Sequence, residues 1–178
     1  MTKVILVNEK DEPIGTMEKM AAHRQALLHR AISIFILNTK GKMLLQQRAM
    51  QKYHSGGLWA NACCSHPLPD ETIEAAATRR LQEELGFSVP LQKIFHFIYK
   101  AHFKNGVSEH EFDHVFIGTY DGKINPDKNE IMDYCFISME DISHSISSHP
   151  EKYAEWFKIA FPKVHQYLNE AKLGKTHA

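Results

Sequence analysis

The chain has 178 residues, 43% of them hydrophobic, which suits one compact domain with a sizeable core. Lysine plus arginine and aspartate plus glutamate balance at 21 each, so no overall field favours nucleic acid or an anionic membrane, and any positive patch is local. No stretch approaches the roughly 18 consecutive apolar residues that span a bilayer, and the opening MTKVILVNEKDEP has too short an apolar run for a signal peptide. The three cysteines, Cys63, Cys64 and Cys135, are odd in number and lack CxxC spacing, which argues against a disulfide scaffold or a zinc knuckle and for a reducing, cytoplasmic setting.

In chain order, KVILVN reads as a short strand and EKDEPIG as the turn after it. TMEKMAAHRQALLH is helical or irregular. RAISIFILN is a β-branched strand that TKGK returns into MLLQQRA, a hairpin. After the Gly56-Gly57 break, LWANACCSH reads as one further strand. DETIEAAATRRLQEELG predicts a helix with Asp70 capping its start, Gly86 at C′, and Ile73, Ala77, Leu81 and Leu85 along its core stripe. LQKIFHFIYKAHF and VSEHEFDHVFIGTY, joined through KNG, form a long hairpin. MDYCFISM is another strand, and residues from Pro150 to about Leu173 form one long helix or two. No internal repeat or linker interrupts this order, so residues 1–178 read as a single domain with a mixed sheet covered by helices.

Residues two apart in an extended segment share a face. In NACCSHP, Cys64 and His66 therefore point the same way and Cys63 points oppositely, as a small buried packer. In VSEHEFDHV, Glu109, Glu111 and Asp113 share a face. Like charges so placed cost free energy unless the face is solvated or a cation lies between them. His110 and His114 fall on the other face with Phe112, as structural residues. Glu83 and Glu84 occupy the last helical turn, where the dipole favours cations and each carboxylate forfeits about 0.3–1 kcal/mol. Two in succession point to a bound cation. His23 and His29 are six apart and lie on opposite faces of a continuous helix; they converge only if the chain turns between them. Lys19, Arg48, Lys52 and Arg80 are placed to suit a phosphorylated substrate.

Glu71, Arg79, Glu83, Glu84 and Gly86 stand at the spacing of the Nudix helix, with Ser65 in place of the pattern's first glycine and Arg80 in place of the glutamate after its arginine. The blocks MEKMAAH, QQRAMQKYHSGGLWANACCSHP, FIYKAHFKNGVSEHEFDHVF and YAEWF resemble, in order, those of the type I isopentenyl-diphosphate isomerases, a branch of the Nudix superfamily. The resemblance runs from about Val4 to Trp156. It implies a Nudix α/β/α sandwich with extra terminal elements. It implies isomerisation of the small-molecule substrate isopentenyl diphosphate to dimethylallyl diphosphate through a tertiary carbocation; no nucleic acid, membrane or obligate protein partner is expected. By the same resemblance, Cys64, Glu111, Tyr99 and Trp156 are catalytic, and His23, His29, His66, Glu109 and Glu111 hold Mn²⁺ or Mg²⁺, with Zn²⁺ an alternative. Glu84 helps to hold a Mg²⁺ on the substrate, and Lys19, Arg48, Lys52 and Arg80 bind its diphosphate. The chemistry then calls for Glu111 with Tyr99 to deliver one proton and for Cys64, as thiolate, to remove another. The competing reading is a Nudix diphosphate hydrolase, in which Glu83 and Glu84 hold metals that activate water.

Overall fold

In a computed structural model, which describes residues 2–176, the order of elements begins with β1 (Lys3–Val7), β2 (Pro13–Glu18), α1 (Lys19–Arg24), β3 (His29–Leu37) and β4 (Met43–Arg48). It continues with β5 (Trp59–Asn61), β6 (Cys63–Ser65), α2 (Ile73–Leu85), β7 (Gln92–His102), β8 (Ser108–Thr119), β9 (Ile131–Ile137), α3 (Met139–Ser148) and α4 (Glu155–Thr176). None of the helices among the described residues is long and apolar enough to cross a membrane.

The sheet is mixed. β3 runs parallel to β8 over nine residue pairs from His29↔Glu111 to Leu37↔Thr119, whereas β1, β4 and β6 meet β3 antiparallel. β3 and β4 share only the pair Leu37↔Met43 beside their turn and then diverge, β4 pairing instead with β5 and β9. Alternation along the strands divides the core between two faces. Ile32, Ile34, Ile36, Leu44, Cys63 and Phe116 pack under α2. Phe35, Met43, Leu45 and Val115 pack under α3 and α4 against Ile142, Phe157 and Phe161. This is the expected α/β/α sandwich.

Four local expectations need correction. Residues 13–18, read as the end of a turn (13–15) and the start of a helical or irregular stretch (16–18), form β2, because the turn proper is tightened by the Asn8 side chain accepting from the Lys10 and Glu12 amides. The cap of α2 is Thr72, whose hydroxyl accepts from the Ala75 amide; Asp70 lies in the turn before it. LWANACCSH is two short strands broken at Ala62, because its first half pairs with β4 and its second with β3, and those partners have diverged. Finally, the reading as strand to Met139 left α3 unassigned; Ser138 caps it by accepting from the Asp141 amide. A 3-10 turn at Pro150–Lys152 and a bridge from Trp59 to Tyr153 then deliver the chain into α4.

Candidate active site

The strand registers gather the site. On β3, His29 and Ser33 lie on one face. Glu111 and Asp113 of β8 join them through His29↔Glu111 and Ala31↔Asp113, and Tyr99 of β7 through Tyr99↔Glu111. Cys64 of β6 faces Ser33. The predicted parity thus holds: Cys63 is fully buried beneath α2, while Cys64 turns to the opposite side with His66. Trp156 reaches the same recess from α4, whose first turn is tied to β5 by the Ala154 amide donating to the Trp59 carbonyl at 3.0 Å.

One donor atom each from His23, His29, His66 and Glu111 lies within 4.8 Å of the others. The chain does turn between the first two histidines: α1 stops at Arg24, Ala26 takes a positive φ of 51°, and His29 opens β3. His23 Nδ1 donates to the Ser108 carbonyl at 3.1 Å and His29 Nδ1 to the Leu27 carbonyl at 2.8 Å, so both present Nε2 to the cluster. His29 Nε2 and His66 Nε2 are 3.2 Å apart, and His66 Nε2 is 3.0 Å from Glu111 Oε1. His23 Nε2 is buried and unpartnered among the described residues. A converging donor set whose ring orientations are held by backbone carbonyls, with one orphaned nitrogen, fits a divalent ion. Glu109 stands apart from the four. Its Oε1 is 3.0 Å from His54 Nε2, off hydrogen-bond geometry, and its Oε2 accepts from Tyr99 at 3.1 Å.

Burial shapes the charges. It pushes His23 down to about 4 and His66 down to about 3, so both stay neutral donors. Burial also opposes ionisation of Glu111, but hydrogen bonds from His29 and His66 outweigh it and hold this carboxyl well below its usual range. Tyr99 donates to Glu111 Oε2 at 2.7 Å. Its neighbour Glu109, buried beside that negative charge, is pushed well up. The charge of the pair rests on Glu111. For Cys64, burial and the nearby Asp113 raise the thiol far above its ordinary value. Its sulfur lies 3.2 Å from Asn61 Oδ1 and 3.3 Å from Ser33 Oγ. Those two hydrogen bonds pull the pKa back down, but burial and Asp113 outweigh them and favour the thiol, contrary to the thiolate expected from sequence.

Beside this recess opens a cavity of about 280 Å³ that Lys19, Arg48, Lys52 and Arg80 all line, together with Glu84 and Glu130. Lys19 lies over the Tyr53 ring at 4.5 Å, and Arg48 over the Trp156 ring at 5.1 Å. The Nε atoms of Arg48 and Arg80 are buried without a hydrogen-bond partner among the described residues. Glu84 is 3% exposed and accepts from Arg80; burial pushes its carboxyl up, Arg80 opposing. On the helix surface, Arg79 is held by Glu71 through two bonds of 2.7 Å and by Glu83 at 3.2 Å, so Glu83 serves as an arginine partner here.

Sequence reasoning missed His54, Asn61 and Ser33. His54 stacks flat on Phe103 with ring centres 4.5 Å apart and is driven down to about 3 by burial and Arg48, a position set by the loop before Gly56. Asn61 Oδ1 accepts from both Cys64 and the Trp156 indole N–H, at 3.2 Å each, while its Nδ2 donates to the Ile34 and Cys63 carbonyls. Strict alternation from Asn61 to Cys63 would set the two on one side; the break at Ala62 undoes that. Ser33, the one hydroxyl in RAISIFILN, was a legible signal: it donates to Asp113 Oδ2 at 2.6 Å.

Comparison with known proteins agrees with this architecture. The NUDIX domain model matches residues 27–158. A crystal structure of DR0079 from Deinococcus radiodurans superposes with a TM-score of 0.77 at 19% identity, covering 90% of this chain and 98% of that one. A MutT protein from Methanosarcina mazei gives 0.65 at 20% identity, covering 82% and 96%. The chain is a Nudix-fold protein. Among curated relatives, isopentenyl-diphosphate Delta-isomerase from Pectobacterium atrosepticum is 45% identical over 97% of this chain and 96% of its own length. Isopentenyl-diphosphate Delta-isomerase 2 from Aromatoleum aromaticum is 46% identical over 91% and 86%. Within the Nudix proteins, this chain belongs to the isopentenyl-diphosphate Delta-isomerase family.

Proposed function

We propose that this chain interconverts isopentenyl and dimethylallyl diphosphate, with Cys64 and Glu111 as its proton-transfer pair. The observation that carries this reading is that the two side chains, from β6 and β8, line one recess that Trp156 closes and that adjoins the basic cavity. An isolated alkene has no carbonyl to acidify its neighbouring protons. The route open to it is addition of a proton at the terminal carbon, a tertiary cation at the branched carbon, and loss of a proton from the carbon nearer the diphosphate. That needs a donor and an acceptor on one small volume. Cys64 and Glu111 face that volume from different strands, so one would deliver the proton and the other remove it, and the reverse reaction exchanges these roles.

Capture of the cation by water would give an alcohol. The indole face of Trp156 excludes water and attracts a cation by about 2 kcal/mol when desolvated. The recess has room for only about 30 Å³ and would have to widen for the five-carbon chain; Arg48, which lies over the Trp156 ring, also lines the basic cavity where the diphosphate would sit. The unpartnered Nε groups of Arg48 and Arg80, with Lys19 and Lys52, are donors for diphosphate oxygens.

His23, His29, His66 and Glu111 would hold a divalent ion, Mn²⁺ or Mg²⁺ by the mixture of nitrogen and hard oxygen donors, with Zn²⁺ an alternative. When bound, it supplies a fixed positive charge that orients Glu111. Glu109 contributes through Tyr99, which donates to both carboxylates. Glu84, at the edge of the basic cavity, would share a Mg²⁺ with the diphosphate. Incubation with isopentenyl diphosphate and Mg²⁺ tests the reading: dimethylallyl diphosphate is expected, and release of phosphate without isomer would return the hydrolase.

A further inference from the structure

Glu130 has no part in the chemistry above, yet it sits among the groups that would bind the diphosphate. Its carboxylate is ion-paired with Lys52 and lies 3.9 Å from Arg80 Nη2. Lys52 is only 18% exposed at its side chain, and an ammonium so far withdrawn from water needs a counter-charge. Glu130 is its one carboxylate partner among the described residues. Arg80 differs, having Glu83 and Glu84 as well.

The backbone of Glu130 is pinned independently of its side chain, which is held by the cavity cations Lys52 and Arg80. Its carbonyl accepts from the Ala49 amide at 2.9 Å, its amide donates to the Asp127 carbonyl at 3.0 Å, and the register of β4 with β9 shifts between Gln47 and Arg48 just beside it. The side chain keeps 27% of its surface exposed along the wall of the 280 Å³ cavity. A carboxylate anchored at its base and wetted at its tip can leave the cations by rotation alone.

From this we infer that Glu130 is a resident counter-ion, an internal stand-in for the substrate's diphosphate. In the free protein it keeps Lys52 folded onto the cavity. An incoming diphosphate, with more charge and more acceptor oxygens, takes Lys52 and turns Glu130 out to solvent. The apparent affinity for diphosphate is then lowered by the pair that has to be broken, a pair that exposure makes modest. The inference rests on the proposed role of the cavity.

The experiment is calorimetric titration of the full chain with inorganic pyrophosphate at fixed free Mg²⁺. Glu130→Gln, nearly isosteric and partly exposed, should bind about fivefold more tightly than the unchanged protein. On a Lys52→Met background the same substitution should alter Kd by less than about twofold, because only the longer contact with Arg80 is left to break. An unchanged Kd for Glu130→Gln overturns the inference. A weakened one also overturns it, and would make Glu130 a magnesium ligand or a brace for Lys52. If the unchanged protein takes up no pyrophosphate at all, the reading of the cavity falls first, which separates the two failures.

Discussion

Glu84→Gln sets burial against ion pairing in one side chain. Glu84 lies in the last turn of α2, where the helix carbonyls point at it, and it is 3% exposed. Burial disfavours its ionised form by more than Arg80 restores, so its carboxyl is pushed above the ordinary 4.5. Arg80, for its part, keeps Glu83 when Glu84 is neutralised, and its side chain is 21% exposed, so no buried charge is stranded. Removing the charge relieves an unfavourable dipole contact of about 0.3–1 kcal/mol, and the metal-free protein at neutral pH should gain about that much. The sign with pH follows from the raised carboxyl. Below the ordinary carboxylate range Glu84 is protonated in both folded and unfolded chains, and the variant has no advantage. As pH rises toward the raised folded value the unfolded chain ionises first, the unchanged protein loses stability, and the gap opens to its full size. Urea unfolding with chelator present, at pH 3 and pH 7, measures both ends. A loss of more than about 1 kcal/mol at pH 7 would refute the reasoning and make Glu84 a structural partner of Arg80. In turnover, the same variant should chiefly weaken substrate binding, with added Mg²⁺ restoring part of it; a fall in kcat at every magnesium concentration would favour the hydrolase.

Cys64→Ala should abolish isomerisation, whereas Cys63→Ala, buried beneath α2, should keep most of it at about 1 kcal/mol of stability; equal losses of activity would overturn the face assignment. Chelation should remove activity, and Mn²⁺ or Mg²⁺ should return it. His66→Ala should lower bound metal toward zero by elemental analysis, and full occupancy in that variant would remove His66 from the ligand set. Thr72→Ala should cost about 1 kcal/mol in urea unfolding, by loss of the cap to Ala75, while Asp70→Ala stays within about 0.5; the opposite order would restore Asp70 as the cap.

Periodicity alone carried much of the molecule. Alternation in RAISIFILN and VSEHEFDHVF placed Glu109, Glu111 and Asp113 on one face, the i,i+4 stripe of α2 predicted its buried side, and two-residue parity separated Cys63 from Cys64. These are consequences of local backbone geometry, which a strand or helix imposes whatever surrounds it. What depended on partners was not legible. Whether His23 and His29 converge turns on where α1 ends, and that is settled by a positive φ at Ala26 and by His29 entering β3. The break at Ala62, and with it the placing of Asn61 between Cys64 and Trp156, exists because β3 and β4 diverge and the segment pairs with each in turn. The protonation of Cys64 is of the same kind. A thiol beside a candidate metal ligand looks on paper like a thiolate, but its charge is decided by how much water and which acceptors the folded chain leaves around it. Here burial and Asp113 favour the thiol against the hydrogen bonds with Ser33 and Asn61, and only the packing of distant strands brings these groups together.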